Sequence, residues 1–200
     1  MIEESIWYIN QNNTLVRYNT SHEKFTLYPT TINSDIINFQ VDNKQKLWLI
    51  TTDKKILTFN LKNKKFKQFP IKLTEETNNG SIYNIVISNN YLWLASKSQG
   101  IILINKKLKT SSFLSKNNIL KNNHNSSVLI DANERAWIAK NTGINMISAE
   151  DKSTIHFDAD FSINTPEFIR GASFKSSKGE FFFGGPNGFY SFFPEEVFNF

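Results

Sequence analysis

The sequence predicts an all-β chain built as a β-propeller of four-stranded antiparallel blades. Three observations carry this expectation. Trp7, Trp48, Trp93 and Trp137 recur at intervals of 41, 45 and 44 residues, and Phe182 stands another 45 along. Each aromatic lies in a short apolar run that is followed by a turn and a second apolar run. A fixed period of about 40–45 residues, each unit holding several short strands, is the signature of propeller blades.

The elements can be justified in order within the repeat. The second strands are Ile6–Ile9, Leu47–Ile50, Leu92–Ala95, Ala136–Ala139 and Phe181–Gly184. The third are Leu15–Asn19, Ile56–Asn60, Ile101–Asn105, Ile144–Ser148 and Phe189–Phe193. These runs are rich in β-branched and aromatic residues, which favours strand. Several are apolar at consecutive positions, as in strands buried on both faces, and stacked blades bury both faces. Between second and third strands the chain places Asn13, Gly100, Gly143 or Gly188, residues that tolerate the positive φ of a tight hairpin. The second unit has Asp53-Lys54-Lys55 instead, which predicts a longer turn or one of another type.

Fourth strands follow a polar loop at Phe25–Tyr28, Phe66–Phe69, Ser111–Leu114 and Thr154–Phe157. First strands precede the aromatic at Ile36–Val41, Ile82–Ile87, Ser127–Ile130 and Phe168–Phe174. The expected blades are therefore about 1–30, 31–72, 73–116, 117–159 and 160–200, in one partial propeller spanning 1–200. The first blade lacks its first strand and the last stops near its fourth. Propellers close with about four to eight blades. The chain is thus expected to be an incomplete arc of about five blades from a larger, seven-bladed ring.

Composition narrows the functional classes. Without cysteine there are no disulfides and no thiolate metal sites. Met1-Ile2-Glu3-Glu4 is acidic and opens no signal peptide, and no apolar run approaches the roughly 18 residues of a membrane span. The net charge of +5 comes mostly from lysine, with arginine only at 17, 135 and 170. That balance does not favour bidentate recognition of phosphate or guanine, so no nucleic-acid partner is expected. The run Lys62-Asn63-Lys64-Lys65-Phe66-Lys67 reads as a solvated hairpin protecting an outer edge strand. The alternative is an anion-binding patch. The abundant asparagines suggest no chemistry.

Candidate chemistry is sparse, and catalytic and metal residues are expected to be absent. His22 and His124 lie in polar loops and His156 in a fourth strand, with no metal-ligand spacing among them. Glu75-Glu76, Glu150-Asp151 and Glu195-Glu196 are neighbours on turns, whereas acid–base pairs face each other across a substrate. Asp158-Ala159-Asp160 lacks the further ligands of a calcium loop. Gly184-Gly185-Pro186-Asn187-Gly188 joins two strands and opens no helix, so it is no phosphate loop. One tryptophan per blade at one strand position reads as core rather than as a set of sugar platforms. Ligand contacts are expected on loops joining blades, at Thr30–Asp35, Thr74–Ser81, Ser115–Ser126 and Ala159–Pro166, with no contact residue identified within them.

The units resemble the two-component regulator propeller repeat. Asp42-Asn43-Lys44-Gln45-Lys46-Leu47-Trp48-Leu49 and Asp131-Ala132-Asn133-Glu134-Arg135-Ala136-Trp137-Ile138 carry the resemblance. The last unit, with Glu167-Phe168, Gly171-Ala172, Gly179-Glu180, Phe183 to Phe189 and Phe193-Pro194, is similar to the terminal repeat in periplasmic sensor regions of bacterial hybrid two-component histidine kinases. The third unit departs, with Ser88-Asn89-Asn90 where the Asp turn is expected, and Arg135-Ala136 departs at the fourth. The resemblance implies a periplasmic segment of an inner-membrane sensor, homodimeric in its parent. Such a segment binds an extracellular ligand, an oligosaccharide or another small molecule, and relays it to an output module absent from this chain. It implies no enzyme activity, cofactor or membrane contact for the segment itself. A propeller enzyme (lyase or glycan hydrolase) and a protein-interaction scaffold remain the alternatives.

Overall fold

The computed structural model describes residues 4–30, 32–71, 81–96, 100–114, 127–140, 143–158 and 168–198. The described residues form five antiparallel sheets and no helix. Blade 1 holds β1 (Ser5–Ile9), β2 (Leu15–Asn19) and β3 (Lys24–Tyr28). Blade 2 holds β4 (Ile36–Val41), β5 (Lys46–Thr51), β6 (Ile56–Asn60) and β7 (Lys65–Gln68). Blade 3 holds β8 (Ile82–Ile87), β9 (Tyr91–Ser96), β10 (Gly100–Asn105) and β11 (Thr110–Phe113). Blade 4 holds β12 (Ser127–Ile130), β13 (Arg135–Lys140), β14 (Gly143–Ser148) and β15 (Thr154–Asp158). Blade 5 holds β16 (Ser173–Lys175), β17 (Phe181–Gly185) and β18 (Gly188–Phe192). In every sheet the strands lie side by side in chain order. The chain divides into two compact units, Met1–Ile71 with blades 1 and 2 and Lys72–Phe200 with blades 3 to 5.

Within each unit, a blade is held to the next by the face that carries its central aromatic. In the first unit Trp7, Ile9, Leu15 and Tyr28 pack against Leu47, Leu49, Leu57 and Phe59. Trp7 stacks on Tyr28 at 5.8 Å and meets Phe59 at 6.0 Å. In the second unit Trp93 packs among Ala136, Ile138 and Ile147 of blade 4. Trp137 in turn packs among Phe181, Phe183 and Phe192 of blade 5, with Phe192 at 5.1 Å. Trp48, Trp93 and Trp137 are buried, as expected of core residues.

One carboxylate organises the hairpin between first and second strands and anchors the indole at the same time. Asp42 Oδ1 accepts from the backbone N–H of Lys44 (2.8 Å) and Lys46 (2.9 Å), while its Oδ2 accepts Trp48 Nε1–H at 2.8 Å. Asp131 repeats the pattern with Asn133 (2.9 Å), Arg135 (2.9 Å) and Trp137 Nε1–H (2.9 Å), and also accepts Arg135 Nε at 2.6 Å. Both turns pass through a left-handed residue, Gln45 (φ 57) and Glu134 (φ 59). Blade 5 keeps this turn with Ser176, whose Oγ accepts Glu180 N–H at 3.1 Å; Phe182 has no indole N–H to satisfy. Blade 3 shortens it. Ser88 N–H donates to Tyr91 O at 3.0 Å, closing a turn one residue tighter, and its hydroxyl does not reach the indole. Among the described residues Trp93 Nε1 is buried without a hydrogen-bond partner.

One expectation is refined and one corrected. The second-unit hairpin has the form of blade 1, where Asn10 N–H donates to Thr14 O as Thr51 N–H does to Lys55 O, and it is one residue longer than the glycine hairpins of blades 4 and 5, which pair Lys140 with Gly143 and Gly185 with Gly188. Lys54 adopts φ 62 where blade 1 has Asn13 at φ 56. The strain of a left-handed lysine is offset locally, because Thr51 Oγ1 donates to Asp53 and accepts Lys55 N–H at 3.0 Å. The first strand of blade 5 is also shorter than Phe168–Phe174. It begins at Ser173, because the chain turns at Gly171 (φ 78) and Ala172 N–H closes back on Ile169 O at 3.0 Å.

Loss of the Asp131 carboxylate strands one buried indole donor, two backbone donors and a guanidinium. Asp131→Ala is therefore expected to destabilise the fold by about 3 kcal/mol, and Ser88→Ala by about 1 kcal/mol or less. Urea unfolding compares the two. Equal losses would contradict the role given to the carboxylate.

Candidate functional site

The candidate site lies in the second unit, at the end of the blades where second strands turn into third strands and first strands begin. Register alignment exposes it. Three residues beyond the central aromatic stand Asn10, Thr51, Ser96, Lys140 and Gly185. At this position Asn10 Oδ1 accepts from Asn12 and Thr14 N–H at 3.0 Å each, and Thr51 closes its own turn. Blade 4 has a lysine there, and Lys140 is completely buried. Burial pushes its amine down from an ordinary 10.5 to about 8.

Lys140 belongs to a polar intrusion into an apolar face. In β13 and β14 the register pairs Lys140 with Gly143 and Ile138 with Asn145, and β15 pairs Asn145 with His156. Side chains alternate along strands, so Lys140, Ile138, Asn145 and His156 share one face. It is the face whose Ala136 and Ile138 meet blade 3. In blades 2 and 3 the partner across from the residue after the tryptophan is apolar, Leu57 opposite Leu49 and Ile102 opposite Leu94. Blade 4 has the fully buried Asn145 there instead, whose Oδ1 lies 2.9 Å from His156 Nδ1. Its Nδ2 is buried without a partner among the described residues. A buried amide half-satisfied in this way costs stability, and such costs are retained chiefly where chemistry or specificity needs the group.

Inner strands supply a second pair. β8 carries a bulge between Ile82 and Asn84, which leaves Tyr83 out of the ladder. A bulge re-aims side chains. In blade 5 Ile169 N–H donates to Gly184 O at 2.9 Å and Gly184 N–H to Ala172 O at 2.7 Å, leaving Arg170 and Gly171 outside the pairing at the equivalent place. The Arg170 guanidinium lies over the Tyr83 ring, 4.7 Å from its centroid. The first strand between them, β12, begins with the buried Ser127, whose Oγ donates to Ile169 O at 3.4 Å. This end therefore gathers an aromatic face, a guanidinium and a buried amine. Of these, the Arg170 guanidinium is exposed and can donate to hydroxyl or carboxylate oxygens.

The first unit is closed at the corresponding end. Asn13 Nδ2 donates to Ser34 O at 2.8 Å and its Oδ1 accepts Ile36 N–H at 2.7 Å. Ser34 Oγ also pairs with Thr52 Oγ1 at 3.0 Å and accepts Asp53 N–H at 3.2 Å. Hydrogen bonding to Lys55, Thr51 and Ser34 holds the Asp53 carboxyl well below the usual carboxylate range. Among the predicted ligand loops, Thr30–Asp35 thus has its Ser34 engaged by the neighbouring hairpins. Ser115–Ser126 and Ala159–Pro166 lie outside the described residues, as do all of Thr74–Ser81 except Ser81 and most of Asp158-Ala159-Asp160. His124 and Glu75-Glu76 also lie outside them. His22 is an exposed turn residue beside Asn19. Asp151, also on an exposed turn, is lowered to about 2, chiefly by the backbone N–H of Ser153. Gly184 to Gly188 form the expected hairpin. Among the described residues no three metal-ligating side chains cluster, and no helix is long and apolar enough to cross a membrane.

Comparison with known proteins places the fold. No family model matches the chain, and no curated protein matches it in sequence. Solved structures do match. One is described as the extracellular domain of the hybrid two-component system BT3049 from B. thetaiotaomicron, with TM-score 0.68 and 14% identity over 98% of this chain. Another, described likewise for BT4673 of the same organism, has TM-score 0.67 and 13% identity over 96% of this chain. The chain spans 26% of the length of each. Virginiamycin B lyase from Staphylococcus aureus matches with TM-score 0.68 and 15% identity, over 96% of this chain and 67% of the lyase. The chain has an all-β propeller-type fold, and that fold matches the propeller region of two-component sensors.

Titration of Lys140 gives the site a measurable signature. From about pH 8 to 10.5 the folded chain has released a proton that the unfolded chain still holds, so stability rises with pH in that window. Lys140→Met should abolish this rise. Urea midpoints near pH 7.5 and 10 measure it, and an undiminished rise in the variant would contradict the assignment.

Proposed function

We propose that this chain is part of the propeller sensor region of a two-component signalling protein, in which its five blades belong to one larger ring. The match of 98% of the chain to the extracellular domain of BT3049 carries this reading. In it, the segment is periplasmic, belongs to an inner-membrane sensor that is dimeric, and binds an extracellular ligand of the oligosaccharide class. The exposed Arg170 guanidinium, held over the Tyr83 ring, offers donors suited to hydroxyl-rich ligands. A ligand that prefers one packing of blades or subunits shifts the population toward it and so biases an output module outside this chain.

The lyase match, equal in TM-score, supports a second reading as a propeller enzyme. Calorimetry of the parent ectodomain against a panel of oligosaccharides, with product analysis on the same samples, separates the two. The sensor reading expects saturable binding without turnover, weakened about tenfold by Arg170→Ala, a loss of about 1.4 kcal/mol. Turnover would favour the enzyme. Binding unaffected by Arg170→Ala would remove this end of the blades from the ligand site.

A further inference from the structure

The inner strands of blades 2, 3 and 5 each leave a residue outside the ladder at the same level. In blade 2 the irregularity lies between Ile36 and Asn38, and in blade 3 between Ile82 and Asn84. In blade 5 it falls between Ile169 and Ala172, whose backbones pair with Gly184. A bulge re-aims the residue it frees. That residue is Ile37 in blade 2 and Tyr83 in blade 3, and in blade 5 it is Arg170 followed by Gly171. Where blade 2 keeps an aliphatic side chain, the second unit has an aromatic ring and a cation.

The backbone holds Arg170 in a fixed place. Ala172 N–H closes on Ile169 O at 3.0 Å with Gly171 at φ 78, so Arg170 is the first central residue of a tight turn whose second central residue needs positive φ. Ile169 anchors this turn, donating its N–H to Gly184 O at 2.9 Å and accepting Ser127 Oγ at 3.4 Å. The guanidinium is exposed and lies over the Tyr83 ring. That contact engages the π face of the ring and uses none of the N–H donors. Among the described residues no acceptor takes them. The carboxylates of the second unit stand elsewhere. Asp131, Glu134, Glu150, Asp151 and Glu180 belong to turns at the opposite end of the blades. Asp158 ends β15, the outer strand of blade 4, with β13 and β14 between it and the inner strand β12.

We propose that Arg170 reads a carboxylate, and that the ligand is an acidic oligosaccharide carrying uronic acid residues. A guanidinium fork matches both oxygens of a carboxylate at once, and such a charged pair is stronger than hydrogen bonds to neutral hydroxyls. The tight turn and the Tyr83 ring hold the fork before the ligand arrives, which lowers the cost of ordering it. A neutral sugar satisfies the donors and leaves the charge unmatched. The inference rests on the sensor reading for the oligosaccharide class and goes beyond it in the group recognised.

Calorimetry of the parent ectodomain tests it, with oligogalacturonate and oligoglucuronate each set beside its carboxyl-reduced, neutral counterpart. An acidic form should bind at least about tenfold more tightly than its neutral counterpart, a difference of about 1.4 kcal/mol. Arg170→Lys keeps the charge and loses the fork, and should cut that preference to about threefold or less. Tyr83→Leu keeps the fork and loses its platform, and should weaken the acidic form by roughly two- to fivefold. The preference is a ratio within one protein, so partial unfolding of a variant, which lowers both affinities alike, does not imitate its loss. Equal affinity for acidic and neutral forms, both weakened by Arg170→Ala, would overturn the carboxylate and leave the sensor reading standing. A preference undiminished in Arg170→Lys and Arg170→Ala would also overturn the inference, because the carboxylate would then be read elsewhere. If no oligosaccharide binds, acidic or neutral, the ligand class of the sensor reading falls and this inference with it.

Discussion

The rest of the structure depends on the indole held between blades. A blade buries its two faces only if the next sheet lies at the right distance and register. The tryptophan is large enough to span that gap and polar at one atom. Asp42 and Asp131 use that atom, so the carboxylate that closes a hairpin also fixes the indole at the centre of its blade. At Trp137, which also packs on blade 5, local turn chemistry and interblade packing become one interaction. Where the residue type changes, the coupling changes in a way the geometry explains. Ser88 closes a shorter turn and leaves the Trp93 donor unmatched, while blade 5 replaces indole with phenyl and needs only Ser176.

Much of this was legible in the sequence because the repeat is carried by bulky residues. Ile36–Val41 and Ile82–Ile87 were readable to the residue from their apolar runs and flanking turns, and both strands carry those bounds in the structure. The Asp turns were readable as well, because a carboxylate that accepts from backbone two residues on is a local device. What stayed hidden required register. Asparagine seemed without meaning, yet Asn60 Oδ1 accepts Lys62 N–H at 2.8 Å and Asn105 Oδ1 accepts Lys107 N–H at 3.0 Å, each opening the turn to its fourth strand. Lys54 concealed a left-handed turn residue because lysine is not expected at φ 62. The start of blade 5 read as strand because Phe168 and Ile169 are apolar, although Gly171 turns the chain first.

The candidate site was hidden for the same reason. Arg170 was visible only as one of three arginines, and its partner Tyr83 was not legible at all, because a bulge cannot be read from an apolar run. Lys140 and Asn145 look like ordinary polar residues in a list. They become unusual only when aligned on the aromatic, where they stand in for a turn-closing hydroxyl and a core leucine or isoleucine. Blade 4 thus gives up apolar packing on the side facing blade 3, at the end where Tyr83 and Arg170 meet. A polar residue where other copies of the repeat are apolar breaks the local packing rule, and that break is what makes this end of blade 4 the candidate site.

The indole N–H groups offer the most direct measurement of the central claim. A ¹H–¹⁵N correlation spectrum of the chain contains one indole signal for each of its four tryptophans. If a carboxylate locks the indole, Trp48 and Trp137 should resonate downfield, with small temperature coefficients and slow exchange, and Trp93 should resonate upfield of both. Assignment by single Trp→Phe variants identifies each signal. Trp93 indistinguishable from Trp48 and Trp137 in shift and temperature dependence would contradict the account.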